Sequence, residues 1–185
     1  MPRYDLPNAA PEPLRLVQQF VNTVDNEHGR EWFPSPSALT AWCAEHGLPL
    51  DQPVSEAELR RALELRDGLR SLARSNNGFA VPPESVAIVN HALLAARIEP
   101  ALDSSAALVV EPHTGGFDGV LGSLLAIAVR SMLDGSWTRL KACRNCSWLF
   151  YDYSSNRSAT WCSMQICGNR RKTREYRKRR SGQFD

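Results

Sequence analysis

The sequence is notable first for what it lacks. Residues 1–138 contain no lysine at all. No apolar run approaches the ~18–20 residues that a bilayer span requires. The opening MPRYDLPNAAPEP has no apolar core of the kind a secretory signal carries. These two absences predict a cytoplasmic protein that does not use a membrane as partner. The four histidines, His28, His46, His91 and His113, are scattered, with neither metal nor triad spacing. There is no glycine-rich phosphate loop and no nucleophile elbow. No acid–base pair stands out, so the chain is not expected to be an enzyme.

The formal net charge of +2 conceals a sharp division. Residues 1–138 carry 10 Arg against 17 Asp plus Glu, a net of −7. Residues 139–185 carry 12 Lys plus Arg against 3 acids, a net of +9. Such asymmetry predicts two functional units, 1–138 and 139–185, the second attractive to polyanions and the first repelled by them. The predicted fold class is α+β and predominantly α. It consists of a helical N-terminal domain with a small β-hairpin, then a small four-cysteine module.

Apolar periodicity defines five helices before residue 135. In the first, Leu14, Val17, Phe20, Val21 and Val24 share a face, and Asn26–Gly29 break the pattern. The second follows Ser35-Pro36 and stops near Gly47. The third opens on Ser55 and Glu58, a capping-box pattern, and ends at Asn76-Asn77-Gly78. A fourth runs from near Pro83 to Arg97. IEPAL and AALVVEP are predicted to pair as a hairpin across Asp103-Ser104-Ser105. The fifth, FDGVLGSLLAIAVRSML, is almost wholly apolar and therefore central.

The cysteines are as uneven as the charge. Cys43 stands alone beside Trp42 and reads as a core residue. Cys143, Cys146, Cys162 and Cys167 form C-x2-C-x15-C-x4-C. A disulfide framework needs an oxidising compartment, which nothing in the sequence indicates. One zinc ion per chain, held by all four thiolates, accounts for the clustering better. Iron–sulfur ligation ranks below zinc. Four cysteines fill the shell, whereas catalytic zinc keeps a position open, so the role is structural. The intervening SWLFYDYSSNRSATW suits a hairpin with its turn at Ser154-Ser155-Asn156. Five residues of regular helix would rotate the last two sulfurs about 140° apart. A turn is therefore expected between Cys162 and Cys167, with a helix starting near Cys167 or Gly168.

That helix, GNRRKTREYRKRR, has almost nothing apolar to bury. A charge run is often only a solvated tail. Here its base follows a metal ligand directly, which favours a presented surface. Asn169, Arg170, Arg171, Lys172, Arg174, Arg177 and Lys178 are the candidate nucleic-acid contacts, through phosphates and guanine edges. Charge alone does not separate DNA from RNA. An RNA-binding module would use Trp148, Tyr151, Tyr153 or Trp161 to stack on bases. A third alternative is an enzyme whose zinc module is only a scaffold.

The segment CRNCSWLFYDYSSNRSATWCSMQICGNRRK resembles the CGNR zinc finger over about residues 140–180. The resemblance rests on C-x2-C, WLFYDYS with NRS, WCSM and CGNR itself. FVNTVD, Leu39 with Trp42, and ELRDGLRSL resemble the ABATE domain that accompanies it. The resemblance implies stress-induced transcription regulators that bind DNA through the basic helix, with Cys143, Cys146, Cys162 and Cys167 on zinc. Ala159 stands where the family often has an arginine, which implies one phosphate contact fewer. In the acidic unit, Asn22, Arg66 and Arg70 are candidates to line a pocket for a small anionic or polar effector. The alternative is that Asn22 and Asp25 make structural hydrogen bonds while the arginines pair nearby acids. Self-association stays open.

Overall fold

The structure, a computed structural model, describes residues 7–181; within the last helix the side chains of 175, 176, 178, 179 and 181 are not among those described. The chain begins with α1 (Leu14–Val21), β1 (Val24–Asp25), β2 (Arg30–Glu31), α2 (Pro36–Glu45), α3 (Glu56–Ser75) and α4 (Pro83–Ala95). It continues through β3 (Ile98–Leu102), β4 (Leu108–Pro112) and α5 (Gly116–Leu133). A 3-10 turn (Ser136–Arg139) leads into β5 (Leu140–Ala142) and β6 (Leu149–Tyr151). A π-helical turn (Met164–Gly168) then precedes α6 (Asn169–Ser181). The three strand pairs are separate antiparallel ribbons, so the fold is α+β and mostly α.

Local chemistry sets most of these boundaries. Ser35 Oγ accepts from Ala38 N, with Pro36 at the first turn of α2. At α3 the capping box is complete: Ser55 Oγ accepts from Glu58 N, and Glu58 Oε2 from Ser55 N at 2.7 Å. β3 and β4 pair from Ile98↔Pro112 to Leu102↔Leu108, the predicted hairpin. α1 is shorter than its apolar pattern predicts. Thr23 Oγ1 donates to Phe20 O, and Asn22 turns its side chain to another element, so the helix stops before Val24. Val24 and Asp25 instead pair with Arg30 and Glu31 across the Asn26–Gly29 turn.

One apolar core gathers α1 (Leu14, Val17, Phe20), α2 (Leu39, Trp42), α3 (Leu65, Leu69) and α5 (Leu121, Leu124, Leu125). By length and composition α5 could cross a membrane, but these residues place it inside the core. Cys43 is also buried there, and burial pushes its thiol up to about 11. α5 passes so near β4 that a Cβ on Gly122 would lie 2.6 Å from Pro112 Cβ and 2.8 Å from Ala96 Cβ. Leu140, Ala142, Leu149 and Tyr151 belong to this same core, so β5 and β6 pack directly on the helices. A second cluster beyond them holds Cys143, Phe150, Cys162 and Cys167.

Candidate metal centre and basic helix

The four clustered cysteines come from two tight turns. The predicted hairpin of residues 147–161 is not what forms: β5 pairs with β6 from Leu140↔Tyr151 to Ala142↔Leu149, and the C-x2-C knuckle is itself the hairpin turn. Cys143 N donates to Trp148 O at 2.9 Å, and Ser147 N to Cys143 O at 2.9 Å. The knuckle displaces the strand pairing because its backbone satisfies itself. Residues 152–161 instead form a loop organised around one ion pair. Lys141 Nζ donates to Asp152 Oδ2 (2.7 Å), Arg157 O (2.5 Å) and Ala159 O (3.2 Å). Both side chains are buried. Burial alone would raise the Asp152 carboxyl, but Lys141 and Ser154 hold it below the usual range. The loop thereby returns the chain to Cys162.

The turn expected between Cys162 and Cys167 is the π-helical one. Cys167 N and Gly168 N both donate to Ser163 O, at 2.9 and 3.1 Å. The wider turn absorbs the rotation that a regular helix would impose on the two sulfurs. Gly168 leaves room for Met164 to fold over the turn. A Cβ there would sit 2.5 Å from Met164 Sδ and 3.3 Å from Trp161 Cδ1.

All four sulfurs lie within 4.8 Å of one another. Cys146–Cys162 is 3.7 Å, and Cys162–Cys167 and Cys146–Cys167 are each 3.6 Å. Zinc at about 2.3 Å from each sulfur of a tetrahedron sets neighbouring sulfurs about 3.8 Å apart, so the donor set fits the ion. The thiols cannot all ionise unaided. Neighbouring Cys146 and Cys162 hold Cys143 far below the ordinary thiol value, and Cys143 in turn pushes Cys146 and Cys162 up. Burial raises Cys167. A divalent cation relieves this repulsion, and the protein binds one zinc ion per chain.

Side-chain amides seal the metal centre's hairpin to the helices. Asn22 is fully buried; its Nδ2 donates to Leu149 O at 2.9 Å and its Oδ1 accepts from Leu149 N at 2.8 Å. Gln18 Nε2 also donates to Leu149 O, at 3.1 Å. Asn77 Nδ2 donates to Ala142 O (2.9 Å) and Thr160 O (3.0 Å). Asn76 Nδ2 does the same for Trp137 O and Leu140 O. Arg144 in the knuckle donates back to Asn77 O.

Of the effector-pocket candidates, Asn22 is thus spent on Leu149. Arg66 makes a bidentate pair with Glu31 at 2.7 Å and donates to Thr23 Oγ1. Arg70 donates to Asp67 and to Val21 O, and burial pushes it down to about 10. Asp25 accepts from Glu27 N and His28 N and shapes the β1–β2 turn.

The predicted nucleic-acid residues stand on α6, which begins two residues after Cys167. Asn169, Arg170, Arg171, Lys172, Arg174 and Arg177 are exposed, and the Lys178 side chain lies outside those described. Two contacts fix the base of the helix, neither evident in the sequence. Arg170 pairs with Glu27 of the β1–β2 turn. Asn145, inside the knuckle, donates to Glu27 Oε1 (3.4 Å) and Cys167 Sγ (3.6 Å) and accepts from Arg174 (3.2 Å). The ring positions considered for RNA stacking differ in exposure: Tyr151 is buried, Trp148 and Trp161 are half-buried, and Tyr153 is 63% exposed. Trp148 and Trp161 pack on the cysteine cluster, and the Tyr153 hydroxyl donates to Ala9 O.

A helical unit joined through its core to a four-thiolate module with a basic helix defines the class: a two-part zinc-finger protein. Residues 14–135 match the ABATE family, described as "Putative stress-induced transcription regulator", and residues 139–180 match the CGNR zinc finger. The chain belongs to the ABATE family and carries a CGNR zinc finger. Neither is an enzyme family. Comparison with curated proteins returns no match.

Proposed function

We propose that the protein is a DNA-binding transcription regulator that works in the cytoplasm. Residues 139–185 are its binding unit and residues 1–138 its regulatory unit. One observation carries this reading. α6 starts within two residues of a zinc ligand, and Arg170, Arg171, Lys172, Arg174 and Arg177 stand exposed on a base that the metal and Asn145 hold in place. A helix held in this way meets phosphates without first having to be ordered. Arg170, Arg171, Lys172, Arg174 and Arg177 supply the charge, with Asn169 exposed beside them at the start of the helix. The burial of Tyr151 and the partial burial of Trp148 and Trp161 favour duplex DNA over single-stranded RNA stacked on all four rings. A small effector acting on residues 1–138 would reach α6 through Glu27, which touches both Arg170 and Asn145.

The test is a titration of the zinc-loaded chain with labelled duplex DNA and single-stranded RNA at several salt concentrations. Tighter binding of DNA, with a steep salt slope equivalent to about four to eight phosphates, is expected. Arg174→Ala with Arg177→Ala should retain zinc and reduce that slope by about two. A flat salt profile, or preference for RNA, would overturn the reading.

A further inference from the structure

The turn between the last two zinc ligands carries a surface that metal binding does not explain. Met164, Gln165 and Ile166 are all exposed, with Met164 at 53% and Ile166 at 54% of full exposure. Their backbone is nonetheless hydrogen-bonded to Ser163. Ser163 Oγ accepts from Ile166 N, and Ser163 O accepts from Cys167 N and Gly168 N. Sulfur ligands fix the turn at both ends. Met164 lies back over Gly168. Gln165 and Ile166 instead line an open groove together with Asn169, Arg170, Thr173 and Arg174.

Phosphate clamping has no use for an exposed isoleucine in the middle of a basic surface. Base reading does. The Gln amide offers a donor and an acceptor that match adenine N7 and N6, and an apolar side chain beside it matches the thymine methyl. We infer that Gln165 and Ile166 read one A·T pair in the major groove, while the arginines of α6 hold the backbone. This rests on the DNA-binding reading above. It deepens that reading by moving base discrimination from the helix to the metal-held turn. The occupant follows from charge: the groove is rimmed by Arg170 and Arg174, and only a polyanion that also presents apolar and amide-matching edges suits all of it.

The experiment uses the full zinc-loaded chain. Bound sequences are selected from a random duplex pool for the native chain, Gln165→Ala, Ile166→Ala and Arg174→Ala. The native chain should enrich at least one A·T position. Gln165→Ala should reduce discrimination there by about fivefold or more. Replacing that thymine by uracil should weaken native binding about fourfold, the worth of one buried methyl, and leave Ile166→Ala unchanged. Arg174→Ala should weaken all sequences alike. Both turn side chains are exposed, so zinc content and helicity should be unaltered. Selection of the same sequences by Gln165→Ala and Ile166→Ala would overturn the inference and assign the reading to α6. A shift in sedimentation on Ile166→Ala, with unchanged sequence preference, would overturn it in favour of contact between chains. Failure of the native chain to bind any duplex would remove the proposed function itself, and is distinguishable from both.

Discussion

The two ends of the zinc module are held by different physics. Its hairpin is sealed to the helices by burial: Leu140 and Leu149 have no exposed surface, and Asn22, Gln18, Asn76 and Asn77 satisfy its backbone. Its helix touches the helical unit through polar groups alone in the contacts described, chiefly Glu27 with Arg170. Apolar burial and saturated amides resist salt and competition; exposed ion pairs do not. The same module is therefore fixed at its hairpin and exchangeable at its helix, where the proposed polyanion would arrive.

The sharpest way to break this contrast is to remove the metal. Chelation, or Cys162→Ser, should release the 160–181 segment and abolish nucleic-acid binding. Circular dichroism should still report the N-terminal helices, because β5 and β6 stay in their core. Limited proteolysis that cuts α3 or α5 as readily as 160–181 would show that the two ends are not separable. Asp152→Ala comes next. It leaves the buried Lys141 without its carboxylate and should cost about 3–5 kcal/mol in denaturant unfolding. The pH dependence has a definite sign. The folded Asp152 carboxyl lies below its unfolded value, so its contribution is present above about pH 4 and is lost as pH falls through the folded pKa. A mutant that follows the native acid-unfolding curve would contradict this.

Smaller effects test the sealed end and then the exchangeable one. Asn22→Ala orphans the backbone N–H of Leu149, while the carbonyl keeps Gln18 Nε2, and should cost about 1–3 kcal/mol, read as a fall in the denaturant midpoint. The smallest effect is expected from Glu27→Gln. It should change stability by less than about 1 kcal/mol. It should nevertheless tighten DNA binding, since Arg170 no longer has an internal carboxylate. Weaker binding would mean that Glu27 positions Arg170 instead of competing for it.

How far the sequence discloses this differs between the same two ends. The capping box at Ser55, the β3–β4 hairpin, the C-x2-C-x15-C-x4-C spacing and the turn before α6 are local signals, and each is readable. The β5–β6 hairpin is not. Leu140-Lys141-Ala142 is too short to carry a strand pattern, and the knuckle that closes it looks only like a metal motif. Lys141–Asp152 and Asn22–Leu149 are pairings across 11 and 127 residues, whose partners no periodicity identifies. Asn22 shows the limit well. A buried polar residue in an apolar helix announces that it has a partner, but not whether that partner is a ligand or a strand. The β1–β2 turn is missed for the opposite reason: two residues a side is below any strand signal, yet it is what carries Glu27 to α6.

The placement of Leu140, Ala142 and Leu149 in the helical core bears on how such proteins can be taken apart. A fragment cut at residue 138 would keep α1, α3 and α5 but lose the side chains that cover one end of them. Asn22, Asn76 and Asn77 would then face solvent with no backbone to bind. The finger is consequently a poor cassette. Grafting it onto another scaffold would require carrying over the asparagines that receive it, and exchange between relatives should succeed only where both sides of that joint travel together.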